Sequence, residues 1–151
     1  IPDRVLLKPA KLDDEEWVIM KRHTTIGAEI LKDADADFIK LAAEIAISHH
    51  ENWTGGGYPR GIKGSDIPLA GRIVSLADFF DALTSERPYK TAFPMEKAFA
   101  MIREVQGSKF DPQVVDALFA VESEIKAEHN WWKFMSAGTA SDELGLSDLF
   151  K

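Results

Sequence analysis

The sequence predicts an all-α fold, and three observations support that prediction. Apolar residues recur every three or four positions over most of the chain, which is the period of an amphipathic helix. Helix start and stop signals bracket these stretches, and none of them shows the two-residue alternation that is typical of a β-strand. Cysteine is absent, so disulfides are excluded and any bound metal must use imidazole or carboxylate ligands.

Three helical segments are predicted before residue 51. Asp13 and Glu16 have the spacing of a capping box, in which each side chain accepts a hydrogen bond from the backbone N–H of the other residue. A second segment covers 24–31 and a third covers 37–50. The helical period directs the following residues inward: Trp17, Val18, Met20, Ile26, Ile30, Leu31, Phe38, Leu41, Ala42, Ile45, Ala46 and His49.

A long loop follows these segments. Residues 51–68 contain consecutive glycines at 55–57, two more glycines and two prolines, a composition that interrupts helices and strands alike. A loop of this length inside a compact domain usually has a function.

Three further helices are predicted after the loop, over 69–83, 94–105 and 111–128. Asp111 is the predicted N-cap of the last helix, and Pro112 occupies its first position. The predicted inward face of the helix over 69–83 consists of Ile73, Leu76, Ala77 and Phe80.

Charge and hydropathy exclude some functions. The net charge is -7, with 25 acidic and 18 basic residues, which argues against binding of a nucleic-acid polymer. The longest apolar stretches fall far short of the roughly 20 residues that span a bilayer. A signal peptide is not evident, so we expect a cytoplasmic protein without a membrane partner. The first residues, Ile1-Pro2-Asp3, resemble the middle of a domain, so we expect a fragment of a longer protein.

Two adjacent histidines, His49 and His50, end the third helical segment. A histidine on an apolar stripe is more often a core residue than a ligand. Adjacent helical residues point about 100° apart, so these two would not chelate one ion as an i,i+4 pair does. They could serve two neighbouring metals, or one could bind a metal while the other takes a bridging position or supports a ligand. Asp78 lies among apolar residues, where a carboxylate needs an ion pair, a cap or a metal. Asp81 is expected to be exposed or hydrogen bonded.

A longer pattern makes these signals specific. The segment from His49 to Gly61 resembles the signature of the HD-GYP family, which is named in part after the Gly-Tyr-Pro found here at 57–59. The similarity covers about residues 1–115. Outside the loop it is carried by Lys8-Pro9, Glu16-Trp17, Met20-Lys21, His23, Gly27, Ile30-Leu31, Gly64, Ile67-Pro68, Arg72-Ile73, Asp78, residues 81–85, residues 87–90 and Phe110-Asp111-Pro112.

The resemblance implies an HD-domain-like helical bundle with a long Gly-Tyr-Pro loop, which we assign to 1–129. The residues of the tail over 130–151 predict either a short docked helix or partial disorder. By this resemblance the ligands of a bi- or trinuclear iron or manganese centre are His23, His49, His50 and Asp78. The catalytic residues are then His49, His50 and Asp78. The substrate-binding residues are Tyr58 near the substrate and Arg87 and Lys90 on its phosphates.

The implied activity is metal-dependent hydrolysis of cyclic di-GMP to linear di-GMP or GMP in bacterial signalling. The implied partners are diguanylate cyclase (GGDEF) domains, an upstream receiver or sensor domain, and a second copy in a homodimer. One alternative is a non-catalytic module that senses cyclic di-GMP or binds proteins. Another is an HD-type hydrolase for a different nucleotide.

Two departures from the family pattern bear on these expectations. The His-Asp pair of the family name would lie before Ile1. Thr54 stands where the family usually has Asp, so the anchoring of the loop is expected to differ. Outside the resemblance, His129 is expected to be a structural or surface residue. Trp131, Trp132 and Phe134 are expected to pack the tail onto the domain or to form dimer contacts.

Overall fold

The computed structural model describes residues 1–86 and 91–128. Within these ranges the regular secondary structure is helical, apart from an isolated bridge between Gln106 and Phe110, and the all-α prediction is confirmed. The helices are α1 (Asp3–Leu6), α2 (Asp14–Leu31), α3 (Asp37–Ser48), α4 (Leu69–Thr84), α5 (Met95–Glu104) and α6 (Pro112–Ala120), with a 3-10 turn at Gly64–Asp66. Among these helices, none combines the length and hydrophobicity that crossing a bilayer requires.

The chain forms two compact units that divide after Val115. In the second unit, residues 122–128 continue as helix beyond α6, with an ion pair between Glu122 and Lys126 at 2.7 Å. The predicted domain boundary at 129, together with His129, Trp131, Trp132 and Phe134, falls outside the described residues. That boundary stays a prediction.

Helix α2 begins where the capping box predicts. The Asp13 carboxylate accepts from the backbone N–H of Glu16, and the Glu16 carboxylate accepts from that of Asp13, both at 2.9 Å. The helix then continues for 18 residues and does not divide at 24. Thr24 and Thr25 donate their hydroxyl protons to carbonyls three residues earlier. Because these hydroxyls bond to carbonyl oxygens, they do not compete for the backbone N–H groups, and the helix continues past both residues.

The core of the first unit lies around α4, α5 and the start of α6. Phe99 of α5 is 3% exposed and packs on Phe80 of α4, with ring centroids 5.4 Å apart. The buried apolar residues are Val5, Ile67, Leu76, Leu83, Met95, Ala98, Phe99, Ile102, Phe110 and Val115.

Several apolar residues that the helical period directs inward are exposed instead. They are Trp17, Val18, Ile26, Ile30, Phe38, Leu41, Ile73 and Ala77. At the contact between α2 and α3, the helices meet through small residues instead. A methyl group on Gly27 of α2 would lie 3.3 Å from the Ala46 Cβ of α3, so the backbones approach closely and the large side chains lie outside the contact.

The crossing of α3 and α4 also depends on a small residue. A Cβ atom on Gly71 would lie 2.1 Å from the Ser48 hydroxyl oxygen and 2.9 Å from its Cβ. Only glycine fits at that distance. Since Ser48 is the last residue of α3, this contact fixes where the chain emerges toward His49.

Candidate metal centre

Three histidines meet at one end of α2 and α3. His23 projects from α2, His49 caps the C-terminus of α3 and His50 follows it. A ligand nitrogen from each lies within 4.8 Å of those from the other two. The His49 and His50 ring centroids are 4.1 Å apart, so the prediction that these rings point too far apart to serve one ion is wrong. Helix α3 ends at Ser48, and the turn that follows brings the two rings together.

Hydrogen bonds fix which nitrogen of two histidines faces the cluster. His23 Nδ1 lies 2.8 Å from the Met20 carbonyl oxygen, and His49 Nδ1 lies 3.0 Å from that of Ile45. A carbonyl only accepts, so each Nδ1 carries a proton and each Nε2 faces the cluster. The two Nε2 atoms are 3.3 Å apart, a distance at which a hydrogen bond between them or a shared metal ion satisfies both. Metal-ligating histidines are commonly oriented by such a bond from the other ring nitrogen.

The third imidazole is held in the neutral form that binds metals. Burial lowers the pKa of His50 to about 4, with smaller contributions from His49, His23 and Lys109. It therefore needs no deprotonation to act as a ligand near neutral pH. Three imidazoles with a nearby carboxylate and no thiolate suit divalent ions of borderline hardness. The residues present thus fit a divalent metal.

The cluster borders a cleft of about 390 Å³. The Tyr58 ring stacks on His50, with centroids 4.7 Å apart and an interplanar angle of 27°. Burial, followed by the charge of Asp78, raises the pKa of Tyr58 to about 12, so its hydroxyl remains a hydrogen-bond donor. The cleft is lined by Trp17, His50, Asn52, Gly56, Gly57, Tyr58, Ser75, Asp78, Phe79, Ala82 and Lys109.

Asp78 reaches the cleft from α4, but it differs from the expectation in two respects. Its side chain is exposed, so no burial cost arises. It is also not one of the three residues whose ligand atoms cluster within 4.8 Å. Asp81 is exposed and accepts a hydrogen bond from the Ser85 hydroxyl at 2.8 Å, as predicted. Arg87 and Lys90 lie outside the described residues, and their phosphate-binding role stays a prediction.

The Gly-Tyr-Pro segment is placed by close backbone contact. Tyr58 donates its backbone N–H to the His50 carbonyl at 3.1 Å. A Cβ atom on Gly57 would lie 2.4 Å from the Asn52 nitrogen and 2.5 Å from both the Glu51 Cα and the His50 carbonyl oxygen. Glycine is required here for space, because backbone atoms cannot move aside as a flexible side chain can.

Sequence reasoning missed the role of Glu51. This side chain is 2% exposed, and its Oε1 accepts from the backbone N–H groups of Arg60 at 2.7 Å and Gly61 at 3.2 Å. Its Oε2 has no hydrogen-bond partner among the described residues. The sequence contained one signal for this role. The backbone N–H groups of a long loop need hydrogen-bond acceptors, and an acidic residue at the start of the loop can supply them.

The loop is also tied to the turn between α5 and α6. Thr54 donates both its backbone N–H and its hydroxyl proton to the Ser108 carbonyl, at 3.0 and 2.9 Å. Trp53 donates its N–H to the Lys109 carbonyl at 2.9 Å. A hydroxyl thus anchors the loop at the position where the family usually has Asp. The same contacts bring Lys109, to which sequence reasoning gave no role, into the wall of the cleft.

Comparison with known proteins agrees with this architecture. The HD domain family matches residues 1–114. A cyclic di-GMP phosphodiesterase from Thermotoga maritima is 52% identical over 83% of this chain and 34% of its own length. A cyclic di-GMP phosphodiesterase response regulator from Xanthomonas campestris pv. campestris is 49% identical over 83% of this chain and 33% of its own length.

A solved structure is also similar. The crystal structure of a cyclic GMP-AMP specific phosphodiesterase from Vibrio cholerae superposes with a TM-score of 0.57 at 27% identity, covering 73% of this chain and 25% of that one. The chain spans about a third of the length of the two curated relatives. With the HD domain match over 1–114 and the Gly-Tyr-Pro loop beside three clustered histidines, the chain belongs to the HD-GYP family.

Proposed function

We propose that this domain is a metal-dependent phosphodiesterase that hydrolyses cyclic di-GMP. The observation that carries the proposal is the convergence of three imidazoles, from His23, His49 and His50, on the edge of a cleft. The names of the similar proteins from Thermotoga maritima and Xanthomonas campestris support the choice of substrate.

In this proposal His23, His49 and His50 hold divalent iron or manganese in a bi- or trinuclear centre, and Asp78 adds a carboxylate from α4. Such ions, when bound, make water more acidic and neutralise negative charge on phosphoryl oxygens. The choice of metal rests on the donor set, which contains imidazole and carboxylate but no thiolate.

The chain's own residues would orient the reactants. The backbone carbonyls of Met20 and Ile45 hold the His23 and His49 rings with Nε2 toward the cluster. The Tyr58 phenol, whose pKa burial raises from 10 to about 12, would donate a hydrogen bond to the substrate. Arg87 and Lys90 would bind its phosphates as charge-assisted donors.

We also propose a cytoplasmic signalling role, with an upstream receiver or sensor domain, diguanylate cyclase domains and a second copy of the chain as partners. The family resemblance supports these partners. The name of the Xanthomonas campestris relative, a response regulator, supports the receiver domain in particular.

The test is hydrolysis by protein purified anaerobically and loaded with Fe(II) or Mn(II). Cyclic di-GMP and 3′3′-cGAMP are supplied separately, because the solved neighbour is named for cyclic GMP-AMP. We expect conversion of cyclic di-GMP to a linear product. His49→Ala should lose this activity. Asp81→Asn should retain it, because the Asp81 carboxylate lies on α4 but accepts a hydrogen bond from Ser85. Folded, metal-loaded protein that binds cyclic di-GMP without cleaving it would contradict the proposal and favour a sensor module.

A further inference from the structure

Lys109 is a cation in the wall of the cleft that holds His50, Tyr58 and Asp78. Its backbone is held in place, because its carbonyl accepts from Trp53 and the preceding carbonyl of Ser108 accepts twice from Thr54. The residue that follows it, Phe110, is 2% exposed. The position of Lys109 is therefore fixed relative to the loop that carries the Gly-Tyr-Pro segment.

The Lys109 side chain lies across two aromatic rings. Its ammonium nitrogen is 4.5 Å from the ring centroid of Phe79 and 5.4 Å from that of Phe110. Asp78 lines the same cleft, and its negative charge favours the charged form of Lys109. Lys109 forms no salt bridge with any of the described residues, which leaves its three N–H donors available.

Electrostatics indicate what this ammonium group binds. Burial lowers the pKa of Lys109, and the charge of Asp78 partly offsets this. When charged, its ammonium group is repelled by divalent cations bound at the histidines, with an energy that falls as the inverse of distance. An anion between the two positive groups reverses the sign of the interaction. Asp78 supplies one negative charge at the edge of the cleft, and a phosphodiester in the cleft would supply another.

We propose that Lys109 binds a phosphate oxygen of the cyclic dinucleotide in the cleft that it lines together with His50. The inference rests on the proposed function, since it assigns a residue to the substrate of that site. A purely structural role is the competing explanation, because the aliphatic stem of a lysine also covers apolar surface. The two explanations differ in whether the charge matters.

Lys109→Met keeps the stem and removes the charge. The matched control is Lys97→Met, because Lys97 also lies over a ring, 4.3 Å from the Phe93 centroid, but does not line the cleft. Affinity for cyclic di-GMP is measured by calorimetry at several salt concentrations, on both metal-free and metal-loaded protein. Turnover kinetics are measured on the metal-loaded protein.

We expect Lys109→Met to weaken binding about tenfold or more, as for loss of a charge-assisted hydrogen bond. It should also make the affinity less dependent on salt. Lys109→Arg should restore most of both properties, and Lys97→Met should match the unsubstituted protein. Wild-type affinity and salt dependence in Lys109→Met would overturn the assignment.

The two proposals fail in different ways. If the protein hydrolyses cyclic di-GMP and Lys109→Met does not change KM, the role of Lys109 is wrong and the proposed function stands. If the protein binds cyclic di-GMP without hydrolysing it, and Lys109→Met weakens that binding, the phosphodiesterase activity is wrong and the role of Lys109 stands. A chain that neither binds nor cleaves cyclic di-GMP overturns both. Thermal unfolding of each variant checks that it is folded.

Discussion

Helices α2 and α3 differ from α4 and α5 in what they bury. Helix α5 buries four of its ten residues, all of them apolar. Helix α2 buries only Thr24 and helix α3 only Ser48. Yet α2 and the end of α3 supply the three clustered histidines.

This difference separates stability from site geometry. Large apolar side chains around α5 supply most of the hydrophobic stabilisation, which is roughly proportional to the apolar area removed from water. The histidines are positioned instead by close approach of small residues, at Gly27 against Ala46 and Gly71 against Ser48. Substitutions in the two regions should therefore affect different measurements.

The largest effect on stability is expected in the α5 core. Phe99→Ala should lower the free energy of unfolding by about 3–5 kcal/mol, because it opens a cavity against Phe80. Phe38→Ala, at a site 74% exposed, should change it by less than about 0.5 kcal/mol. Urea unfolding measures both. Equal losses of unfolding free energy would show that the outer face of α3 is packed, and would contradict the difference drawn between α3 and α5.

Overpacking the α3–α4 crossing should have a smaller effect. Gly71→Ala should cost about 1–3 kcal/mol, because its methyl group would overlap Ser48. Adding Ser48→Gly removes the overlapping atoms, so the double variant should lose less than the sum of the single losses. Strict additivity in the double-mutant cycle would contradict the contact.

Two exposed carboxylates of α4, Asp78 in the cleft and Asp81 outside its lining, can be compared directly. Asp78→Asn should lower kcat/KM for cyclic di-GMP by about ten- to a hundredfold, the loss typical of a group that supports a metal site. Asp81→Asn, exposed on the same helix, should leave kcat/KM unchanged. If both variants retain full activity, the assignment of a role to Asp78 is wrong.

The smallest expected effect is the pH dependence contributed by His50. Its pKa of about 4 in the folded chain lies below the ordinary 6.5, so the unfolded state binds more protons between these values. Stability should therefore rise with pH through this window and be lost as the pH falls from about 6.5 to 4. The effect is roughly 1 kcal/mol, because the ring is only half-buried and solvent screens it.

The check is urea unfolding of metal-free protein from pH 4 to 7, with His50→Gln as the matched variant. The variant should lose the part of the slope that His50 contributes, while other titrating groups affect both proteins alike. Parallel curves for the two proteins would contradict the lowered pKa.

Local signals predicted α2 to α6, although they divided α2 at 24 and did not predict α1. The capping box of Asp13 and Glu16 gave the start of α2, and the glycines of 55–57 gave the loop. The helical period gave the wrong inward face for Phe38 and Ile73. Periodicity reports which face is apolar, but it does not report that Gly27 and Gly71 let the backbones meet elsewhere.

The candidate site was predicted in part. His23, His49, His50, Tyr58 and Asp78 were named through the family pattern, and all five lie in the cluster or the cleft. The common direction of the His49 and His50 rings was missed, because it depends on where α3 ends. Lys109 was missed because only hydrogen bonds between distant loop residues bring it to the cleft.

The most direct test is metal stoichiometry of the anaerobically loaded chain, measured by elemental mass spectrometry. If His23, His49 and His50 hold a bi- or trinuclear centre, the chain should retain at least two iron or manganese ions after desalting. His23→Ala, His49→Ala and His50→Ala should each lose bound metal while remaining folded. A chain that retains no metal, or single variants that retain as much as the unsubstituted protein, would contradict the assignment of these three imidazoles as ligands.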